Sequence, residues 1–325
     1  MESLNYLIFS TLERCLSERG LILGEKSINN IIRDVKVWLK PSVEGKGIRA
    51  TQDGSLTLIS DKYGEPYHSL TSGAIRECLL KFIEPSQVVK KAQKGKVRII
   101  DVGFGLGYNI AIALERIKRA NPYAEVQILS FEKELPEIIP LLPEPYKGYQ
   151  KLLLDGLPEF CKDGISFRLL LGDARKTIKQ VSEFIADAVF HDGFSPYRNP
   201  ELWTYEFLRE IRLRVSLEGI WVSYTSSLAV RKALKMLGFG IATSQSVGRK
   251  KGGTVASLTL RDLLSTEELK KLSTSPYAIP FRDETLKAQP LEILINYRVN
   301  VELLKVAQGG IEPPTPRFSA GCSTN

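Results

Sequence analysis

The sequence contains few of the residues that build metal centres and disulfide frameworks. Its 325 residues include only four cysteines and two histidines. The cysteines form no CxxC pair, and the histidines, His68 and His191, lie far apart in the chain. Zinc sites need such ligands at short spacings, so we predict neither a metal site nor a disulfide scaffold.

Long hydrophobic runs are also missing. No apolar stretch approaches the roughly 18 residues needed to cross a bilayer, and an acid, Glu2, stands where a signal peptide would carry basic residues. A hydrophobic content of 43% and a charged content of 25% are typical of a soluble globular protein. We therefore expect a cytoplasmic protein with no membrane partner.

Positive charge is in excess. The chain has 45 lysines and arginines against 37 acids, which gives a formal net charge of +8. An excess of this sign favours an anionic partner such as nucleic acid, and a merely basic surface explains it equally well.

From Lys96 the sequence alternates between strand and helix patterns. Strands are predicted at 97–102, 126–131, 166–171, 186–191 and 219–224, and helices at 110–120, 149–161, 175–185, 201–217 and 228–237. This alternation predicts an α/β fold with a doubly wound, mostly parallel sheet. Residues 240–246 and 254–260 predict a closing antiparallel pair, which is typical of class I Rossmann-like methyltransferases.

Five segments follow from these patterns. We expect a helical extension, then a hairpin and helix, then the main domain, then a C-terminal extension of helix and loop. The end of the chain is rich in Gly, Pro, Ser and Thr and is expected to be disordered. The predicted bounds are 1–50 for the helical extension, 51–95 for the hairpin and helix, 96–261 for the main domain, 262–306 for the C-terminal extension and 307–325 for the tail.

A glycine-rich loop follows the first strand of the main domain. After Asp101 come Gly103, Gly105 and Gly107, spaced GxGxG. A dinucleotide fingerprint would need a third glycine at the position of Tyr108. An acid before this tighter spacing is typical of S-adenosylmethionine sites, and a purely structural turn is the alternative.

Acids also end the next two strands. Glu132 ends the second strand and can accept hydrogen bonds from both hydroxyls of a ribose. Asp173, which follows Gly172, can accept from the amino group of adenine or simply cap the next helix. The carboxyl ends of parallel strands meet at one edge of a sheet, so the three loops together predict an S-adenosylmethionine site.

Asp192 follows the fourth strand, in the stretch FHDGFSPYRNPELW. Its carboxylate can accept an N–H hydrogen bond from an amine, orient the nitrogen and take up a proton, or it can only cap a turn. Phe194 and Pro196 would form an apolar wall. Tyr197 or Trp203 would stack on a base or belong to the core.

These motifs resemble those of a known family. The stretch DGFSPYRNPELW is similar to the DGFAPxxNPxxW signature in the methyltransferase domain of MnmC, the bacterial tRNA 5-methylaminomethyl-2-thiouridine biosynthesis protein. GFGLGYN resembles that family's GFGTGLN, and the similarity runs from about Thr51 to Ser257. His191 departs from the family's usual apolar residue, and strand alternation should point it away from Asp192.

The resemblance implies methylation of the primary amine of 5-aminomethyluridine, or of its 2-thio form, at the wobble position of tRNA. It implies Asp192 as the catalytic residue. The cofactor, S-adenosylmethionine, would be held by Asp101, Gly103, Phe104, Gly105, Gly107, Glu132, Gly172 and Asp173. Candidates for contacting the substrate or closing over it are Tyr67, His68, Ser69, Phe194, Ser195 and Pro196. Bifunctional members of the family add an FAD-dependent oxidase, for which this sequence has neither the length nor a second glycine fingerprint, so we expect a stand-alone methyltransferase without FAD or metal.

Binding of tRNA requires cations near the site. The candidates lie mostly in loops or helix starts that follow the strands, and a cation of this kind taken alone is more often only a solvated charge. They are Arg175, Lys176, Arg198, Arg231, Lys232, Arg249, Lys250 and Lys251.

Two other interpretations stay open. Residues 53–69 resemble the N-terminal hairpin of aminopropyltransferases of the spermidine synthase type, although GFGLG and Ser195 depart from the pattern of those enzymes. A catalytically silent tRNA-binding module is the second alternative, and it would not need Glu132, Asp173 and Asp192 together.

Overall fold

Ten strands and twelve α-helices make up the chain over residues 2–181, 183–246 and 252–309, which the computed structural model describes. The strands are β1 (Gly47–Ala50), β2 (Leu56–Ile59), β3 (Lys96–Val102), β4 (Glu125–Glu132), β5 (Glu159–Lys162), β6 (Ile165–Leu171), β7 (Ala186–His191), β8 (Val215–Ser223), β9 (Gly240–Thr243) and β10 (Thr254–Ser257). The helices are α1 (Glu2–Glu18), α2 (Glu25–Trp38), α3 (Ala74–Cys78), α4 (Glu84–Ser86), α5 (Val88–Ala92), α6 (Tyr108–Ala120), α7 (Lys147–Asp155), α8 (Ala174–Thr177), α9 (Tyr205–Arg212), α10 (Leu228–Met236), α11 (Thr266–Thr274) and α12 (Pro290–Gln308). In the described part of the chain, no helix is long and apolar enough to cross a membrane.

Eight of the strands form one sheet, in the spatial order β5-β6-β4-β3-β7-β8-β10-β9. The five strands from β6 to β8 run parallel, β10 is antiparallel to both of its neighbours, and β5 is antiparallel to β6. This order confirms the predicted doubly wound α/β sheet with its closing antiparallel pair.

The central strands are apolar along their whole length because helices cover both faces of the sheet. Ile99 and Ile100 are successive residues of β3 that point to opposite faces, and both are 0% exposed. Ile99 packs in the cluster that includes α6, while Ile100 packs in the cluster that includes α9 and α10.

The chain reverses its direction of progress across the sheet at β3. It first moves outward through β4 and β6, and then returns to β7 on the other side of β3. Open α/β sheets bind their ligands outside the carboxyl ends of the strands at such a reversal. The fold therefore directs attention to the loops after β3, β4 and β7.

Three predicted helices are shorter than expected. The helix predicted at 149–161 ends with α7, and β5 follows it because Phe160 packs on Phe167 of β6, with ring centroids 5.6 Å apart. The helix predicted at 175–185 is only α8 and a 3-10 turn, Ile178–Gln180. The helix predicted at 201–217 divides into a 3-10 turn, α9 and the start of β8, since pairing of Val215 with Ala186 takes these residues into the sheet.

Two predicted boundaries also shift. The β1–β2 hairpin begins at Gly47, so a boundary at residue 50 would divide it. Helix α12 continues through Gln308 and so includes the first residues of the predicted tail. The rest of that tail, 310–325, lies outside the described residues.

Helices from the two ends of the chain pack together. Ile8 of α1, Ile31 of α2 and Val299 of α12 share one apolar cluster, and each is 0% exposed. Arg298 of α12 is also 0% exposed, and its guanidinium donates to Asp34 of α2 (Nε to Oδ2, 2.9 Å) and to Glu302 (Nη1 to Oε2, 2.7 Å). This buried ion pair joins the C-terminal helix to the N-terminal extension.

Arg298→Ala should lower the free energy of unfolding by about 3 kcal/mol, because it removes the buried counter-charge of Glu302 and the buried one of the two guanidinium partners of Asp34. Urea unfolding followed by circular dichroism measures this loss. Arg33→Ala is the matched control, since the side chain of Arg33 is 67% exposed and pairs with the same Asp34. An equal effect of the two substitutions would contradict the role assigned to Arg298.

Candidate functional site

A cavity of about 470 Å³ lies at the carboxyl ends of β3, β4, β6 and β7. Its wall is completed by residues 60–71, a segment that we call the N-terminal cover. All residues of the cover except Asp61 and Gly64 line the cavity. Eleven of the candidates from the sequence line this cavity together. They are Tyr67, His68, Ser69, Gly103, Gly105, Glu132, Gly172, Asp173, Asp192, Phe194 and Ser195.

The glycine loop is held between the cover and the loop after β7. Gly103 has a φ of +89°, and a Cβ built on it would lie 2.6 Å from the backbone oxygen of Asp192. A Cβ on Gly105 would lie 2.9 Å from the ring of Tyr67. Side chains at either position would collide, so glycine lets the backbone form a cradle at the cavity.

Glu132 ends β4 next to this cradle. Its carboxylate accepts hydrogen bonds from the backbone N–H groups of Gly105 (2.8 Å) and Lys133 (2.8 Å). Burial raises the pKa of Glu132, and these hydrogen bonds oppose that effect. A half-buried carboxylate that lines the cavity beside the glycine cradle fits the ribose of an adenosyl group.

Asp173 caps α8, which is the second of the two roles that the sequence suggested for it. It accepts from the backbone N–H of Arg175 (3.0 Å), and the guanidinium of Arg175 donates to both carboxylate oxygens. Burial disfavours the ionised form, but the hydrogen bonds and charge of Arg175 outweigh it and lower the pKa of Asp173. Oδ1 accepts two of these hydrogen bonds and Oδ2 accepts one, so Oδ2 keeps a lone pair for a further donor at the cavity wall.

Three predicted residues lie behind the cavity wall. Asp101 is 1% exposed and accepts from the Ser130 hydroxyl at 2.9 Å, and burial raises its pKa to about 7. Phe104 is 4% exposed because its ring packs under the glycine loop. Pro196 is buried as well. These three residues support the loops from behind. Asp101 and Phe104 were predicted to contact the cofactor and Pro196 the substrate, and the structure corrects these predictions because none of the three lines the cavity.

Gly107 lies immediately before α6 and does not line the cavity. It is the residue before the helix, with a φ of +74°, and the ring of Phe104 occupies the space that a Cβ would need. Its part in the site is to let the loop turn into the helix.

Asp192 is held by hydrogen bonds to one residue before the glycine loop and one residue after it. Its backbone N–H donates to the carbonyl of Val102 at the end of β3 (2.8 Å). Its Oδ2 accepts from Nδ2 of Asn109, the second residue of α6, at 2.6 Å. Sequence reasoning missed Asn109, although the residue ends the quoted GFGLGYN motif.

The N-terminal cover contacts the loop after β7 directly. The carboxylate of Glu65 accepts from the backbone N–H of Ser195 (2.9 Å) and from its hydroxyl (2.6 Å). The ring of Tyr63 stacks on Phe194 with centroids 4.3 Å apart, and Tyr67 meets Phe194 edge-on at 5.0 Å. Sequence reasoning missed Tyr63 and Glu65. No local sequence pattern relates them to their partners in the loop after β7, which lie about 130 positions further along the chain.

The two histidines are both buried. His68 is 6% exposed, its ring stacks on Tyr108, and burial lowers its pKa to about 4. His191 is 0% exposed in a cluster with Trp203 and Trp221, and burial lowers its pKa to about 3. His191 therefore points away from the cavity, as strand alternation predicted, while His68 lines it.

Tyr197 and Trp203 belong to the core. Tyr197 stacks on Trp38 of α2 with ring centroids 4.4 Å apart. Trp203 is 0% exposed, and its indole N–H donates to the backbone oxygen of Phe194 at 2.8 Å. The core alternative is thus correct for both, and stacking on a base is not their role.

Charge is unevenly distributed around the cavity. Two lysines at its rim, Lys62 and Lys133, are about half exposed, and they pair with Glu134 (2.6 Å) and Glu201 (3.9 Å). The described lining residues otherwise carry acids rather than cations. These acids are Glu65, Glu77, Glu132, Glu134, Asp173, Asp192 and Glu201. The interior therefore favours a positively charged group.

Three predicted phosphate contacts are corrected. The guanidinium of Arg175 is buried between Asp173 and Asp283, each at 2.7 Å. Arg231 is 3% exposed and pairs with Glu268 at 2.9 Å. The side chain of Arg198 is 8% exposed, 4.0 Å from Glu65. Buried, paired guanidinium groups cannot reach an external phosphate. Lys176 is exposed and Lys232 half-buried, whereas Arg249, Lys250 and Lys251 lie outside the described residues.

The fold and the glycine cradle define an S-adenosylmethionine-dependent methyltransferase. A family model described as S-adenosyl-L-methionine-dependent methyltransferase matches residues 144–259. The crystal structure of MNMC2 from Aquifex aeolicus superposes with a TM-score of 0.86 at 50% sequence identity, and the match covers 91% of this chain and 98% of that one. The chain belongs to the MnmC methyltransferase family, which displaces the aminopropyltransferase alternative.

Two further relatives show how far the similarity extends. An uncharacterized protein of Methanocaldococcus jannaschii, MJ0670, is 34% identical over 84% of this chain and 78% of its own length. The tRNA 5-methylaminomethyl-2-thiouridine biosynthesis bifunctional protein MnmC of Ectopseudomonas mendocina is 30% identical over 59% of this chain and 32% of its own length. The matched part is thus about a third of such a bifunctional relative.

Glu132→Gln should weaken the binding of S-adenosylmethionine at least about tenfold, because an amide accepts fewer and weaker hydrogen bonds than a carboxylate. Isothermal titration calorimetry gives the Kd directly. Glu125→Gln is the control, since Glu125 begins the same strand at the end away from the cavity and its side chain is 65% exposed. If Glu132→Gln bound the cofactor as tightly as the control, the ribose role of Glu132 would be wrong.

Proposed function

We propose that this protein methylates the side-chain amine of 5-aminomethyluridine, or of its 2-thio form, at the wobble position of tRNA. The product is 5-methylaminomethyluridine. The observation that carries the proposal is the position of Asp192, a carboxylate fixed by Asn109 at 2.6 Å beside the glycine cradle. The names of the bifunctional relatives support the nucleoside.

S-adenosylmethionine, when bound, supplies a methyl group on a positively charged sulfur. A primary amine would attack that methyl carbon only through its lone pair, forming the N–C bond as the S–C bond breaks, so the amine must be neutral when it reacts. Asp192 accepts an N–H hydrogen bond, aims the lone pair and receives the proton that the nitrogen releases once it carries the new methyl group. The glycine cradle sets the distance between this carboxylate and the cofactor.

The charge pattern supports an amine that is attached to nucleic acid. Acids line the interior and attract a cationic tip, while Lys62 and Lys133 stand at the rim. Phosphates beyond the base would contact these lysines and the exposed Lys176. Such a cavity selects a cation carried on a polyanion better than it selects a free anion.

The aromatic residues of the cover support a nucleobase. Tyr67 and Phe194 line the cavity and contact each other edge-on at 5.0 Å. Unstacked bases of single-stranded RNA bind on such aromatic side chains, and the wobble base lies in the single-stranded anticodon loop. A uracil that rests against these rings would lie in the same cavity as Asp192.

Asp192→Asn should reduce methyl transfer from labelled S-adenosylmethionine to tRNA bearing 5-aminomethyluridine by about 100-fold or more, since the amide cannot take a proton. The same tRNA with unmodified uridine is the substrate control and should remain unlabelled. Cofactor affinity should stay within about threefold, because Asn has the size of Asp and no charge is needed there for the cradle. Full activity of the variant would refute the role of Asp192.

Asn109→Asp should move the acidic limb of the kcat profile upward by about two pH units, because a second carboxylate at the position of the amide raises the pKa of Asp192. Activity lost at neutral pH should therefore return as the pH rises. Asn109→Leu removes the donor without adding charge and should lower kcat with a smaller shift. Identical pH profiles for the wild type and Asn109→Asp would show that Asn109 does not act on Asp192.

A further inference from the structure

A second groove, of about 650 Å³, lies between α4, α5 and the last turns of α6. The described residues that line it include three cations, Lys90, Arg116 and Arg119, and one acid, Glu84. None of these lining residues belongs to the cavity at the strand ends. We call this second site the basic groove.

The cations of the basic groove have few partners within the protein. Lys90 is exposed and Arg116 is half-buried, and neither side chain forms an ion pair or a hydrogen bond with another described residue. Arg119 is 62% exposed and lies 3.4 Å from the carboxylate of Glu115. Lys118, in the same turn of α6, instead donates to three backbone carbonyls. The fold thus uses Lys118 internally and leaves Lys90 and Arg116 available to an external anion.

The sequence beside the groove is also basic. Residues 85–100, PSQVVKKAQKGKVRII, contain five cations and no acid. One of them, Lys94, is exposed and follows Lys90 by one helical turn. Cations that are clustered on one surface and lack internal partners are typical of a site for a polyanion.

The cavity itself offers few cations for the body of a tRNA. The guanidinium groups of Arg175, Arg198 and Arg231 are buried beside carboxylates, and the rim lysines, Lys62 and Lys133, pair with acids. Only the wobble base would enter the cavity, so most phosphates of a bound tRNA would lie outside it. A cationic surface at some distance from the cavity would meet these phosphates.

Two parts of the chain connect the cavity with the basic groove. Helix α6 starts at Tyr108, directly after the glycine loop, and a helix rises about 1.5 Å per residue. Arg116 and Arg119 therefore lie about 12 and 17 Å further along this helix. The segment that leaves the N-terminal cover runs through α3 and a π-helical turn, Leu79–Ile83, to the other wall of the groove. An RNA stem that extended from the cavity along α6 would bring its phosphates to the groove.

We propose that the basic groove binds backbone phosphates of the double-stranded RNA that adjoins the anticodon loop. The inference rests on the proposed function, because it concerns the RNA to which the wobble uridine belongs. Phosphate contacts position a nucleic acid without reading its sequence. The groove thus raises the affinity for tRNA as a shape, and the recognition of the modified base stays with the cavity.

The test compares two RNAs that both carry 5-aminomethyluridine. One is a whole tRNA, and the other is a single-stranded oligonucleotide with the sequence of its anticodon loop. With the wild-type protein, kcat/KM for methyl transfer should be at least about tenfold higher for the tRNA, because only the tRNA has a stem to place in the groove. Equal values for the two RNAs would overturn the proposal.

Lys90→Glu and Arg116→Gln test the groove itself. Each should lower kcat/KM for the tRNA about tenfold and leave the value for the oligonucleotide within about twofold, because a phosphate contact is lost only where a stem is present. Lys270→Glu is the control for charge, since Lys270 is exposed on α11, which packs on the opposite face of the sheet. Equal losses on both RNAs, or an equal loss in the control, would overturn the assignment.

Salt dependence gives a measurement that needs no variant. Three phosphate contacts should make the slope of log Kd against log salt concentration steeper by about two or more for the tRNA than for the oligonucleotide. Binding of the two RNAs to the wild-type protein at several salt concentrations measures both slopes. Equal slopes would contradict the proposal even if both groove variants failed to fold, which titration with the cofactor would reveal.

The outcomes for the two proposals are distinct. Absence of transfer to either RNA by the wild type would end the proposed function and this inference with it. Transfer to both RNAs, with groove variants that match the wild type, would leave the proposed function intact and end only the inference. A groove that binds only a free anion such as inorganic phosphate would give this second result.

Discussion

The rest of the site depends on the contact between β3 and β7. The two strands lie side by side at the reversal of the sheet, and the backbone N–H of Asp192 continues their pairing by donating to Val102 at 2.8 Å. This hydrogen bond brings the end of β7 against the glycine loop so closely that Gly103 has no room for a side chain. The carboxylate and the cofactor cradle are therefore joined by the backbone of the sheet.

The N-terminal cover completes what the sheet alone leaves open. An open α/β sheet offers a crevice at its edge, and the cover closes this crevice through Glu65 on Ser195 and Tyr63 on Phe194. The cover also contributes side chains that line the cavity. Its tyrosines provide apolar faces for a base, and Glu65 contributes negative charge, so the cofactor loop and the substrate wall come from different parts of the chain.

Much of the site could be predicted from the sequence because its parts stand at strand ends. Glu132, Asp173 and Asp192 each stand within two residues of the end of an apolar run, and strand ends in a parallel sheet meet by necessity. The strand pattern also placed His191 on the far face correctly, since alternation is a local property. The short motifs of the family resemblance made the same loops recognisable.

Contacts over long sequence distances could not be predicted in this way. Asn109 meets Asp192 across 83 positions and Glu65 meets Ser195 across 130, and no periodicity relates such pairs. The same limit explains the error over Arg175, which looked like a surface cation but pairs with Asp283, 108 residues later. Whether a charge is solvated or buried depends on partners that only the folded chain brings together.

A crystal structure with S-adenosylhomocysteine and an anticodon stem-loop carrying 5-aminomethyluridine would test the central claim most directly. We expect the adenosyl ribose at Glu132, and the amine nitrogen within about 3.2 Å of the Asp192 carboxylate and in line with the sulfur. A nitrogen directed away from Asp192, or an adenosyl group outside the glycine cradle, would contradict the proposed mechanism.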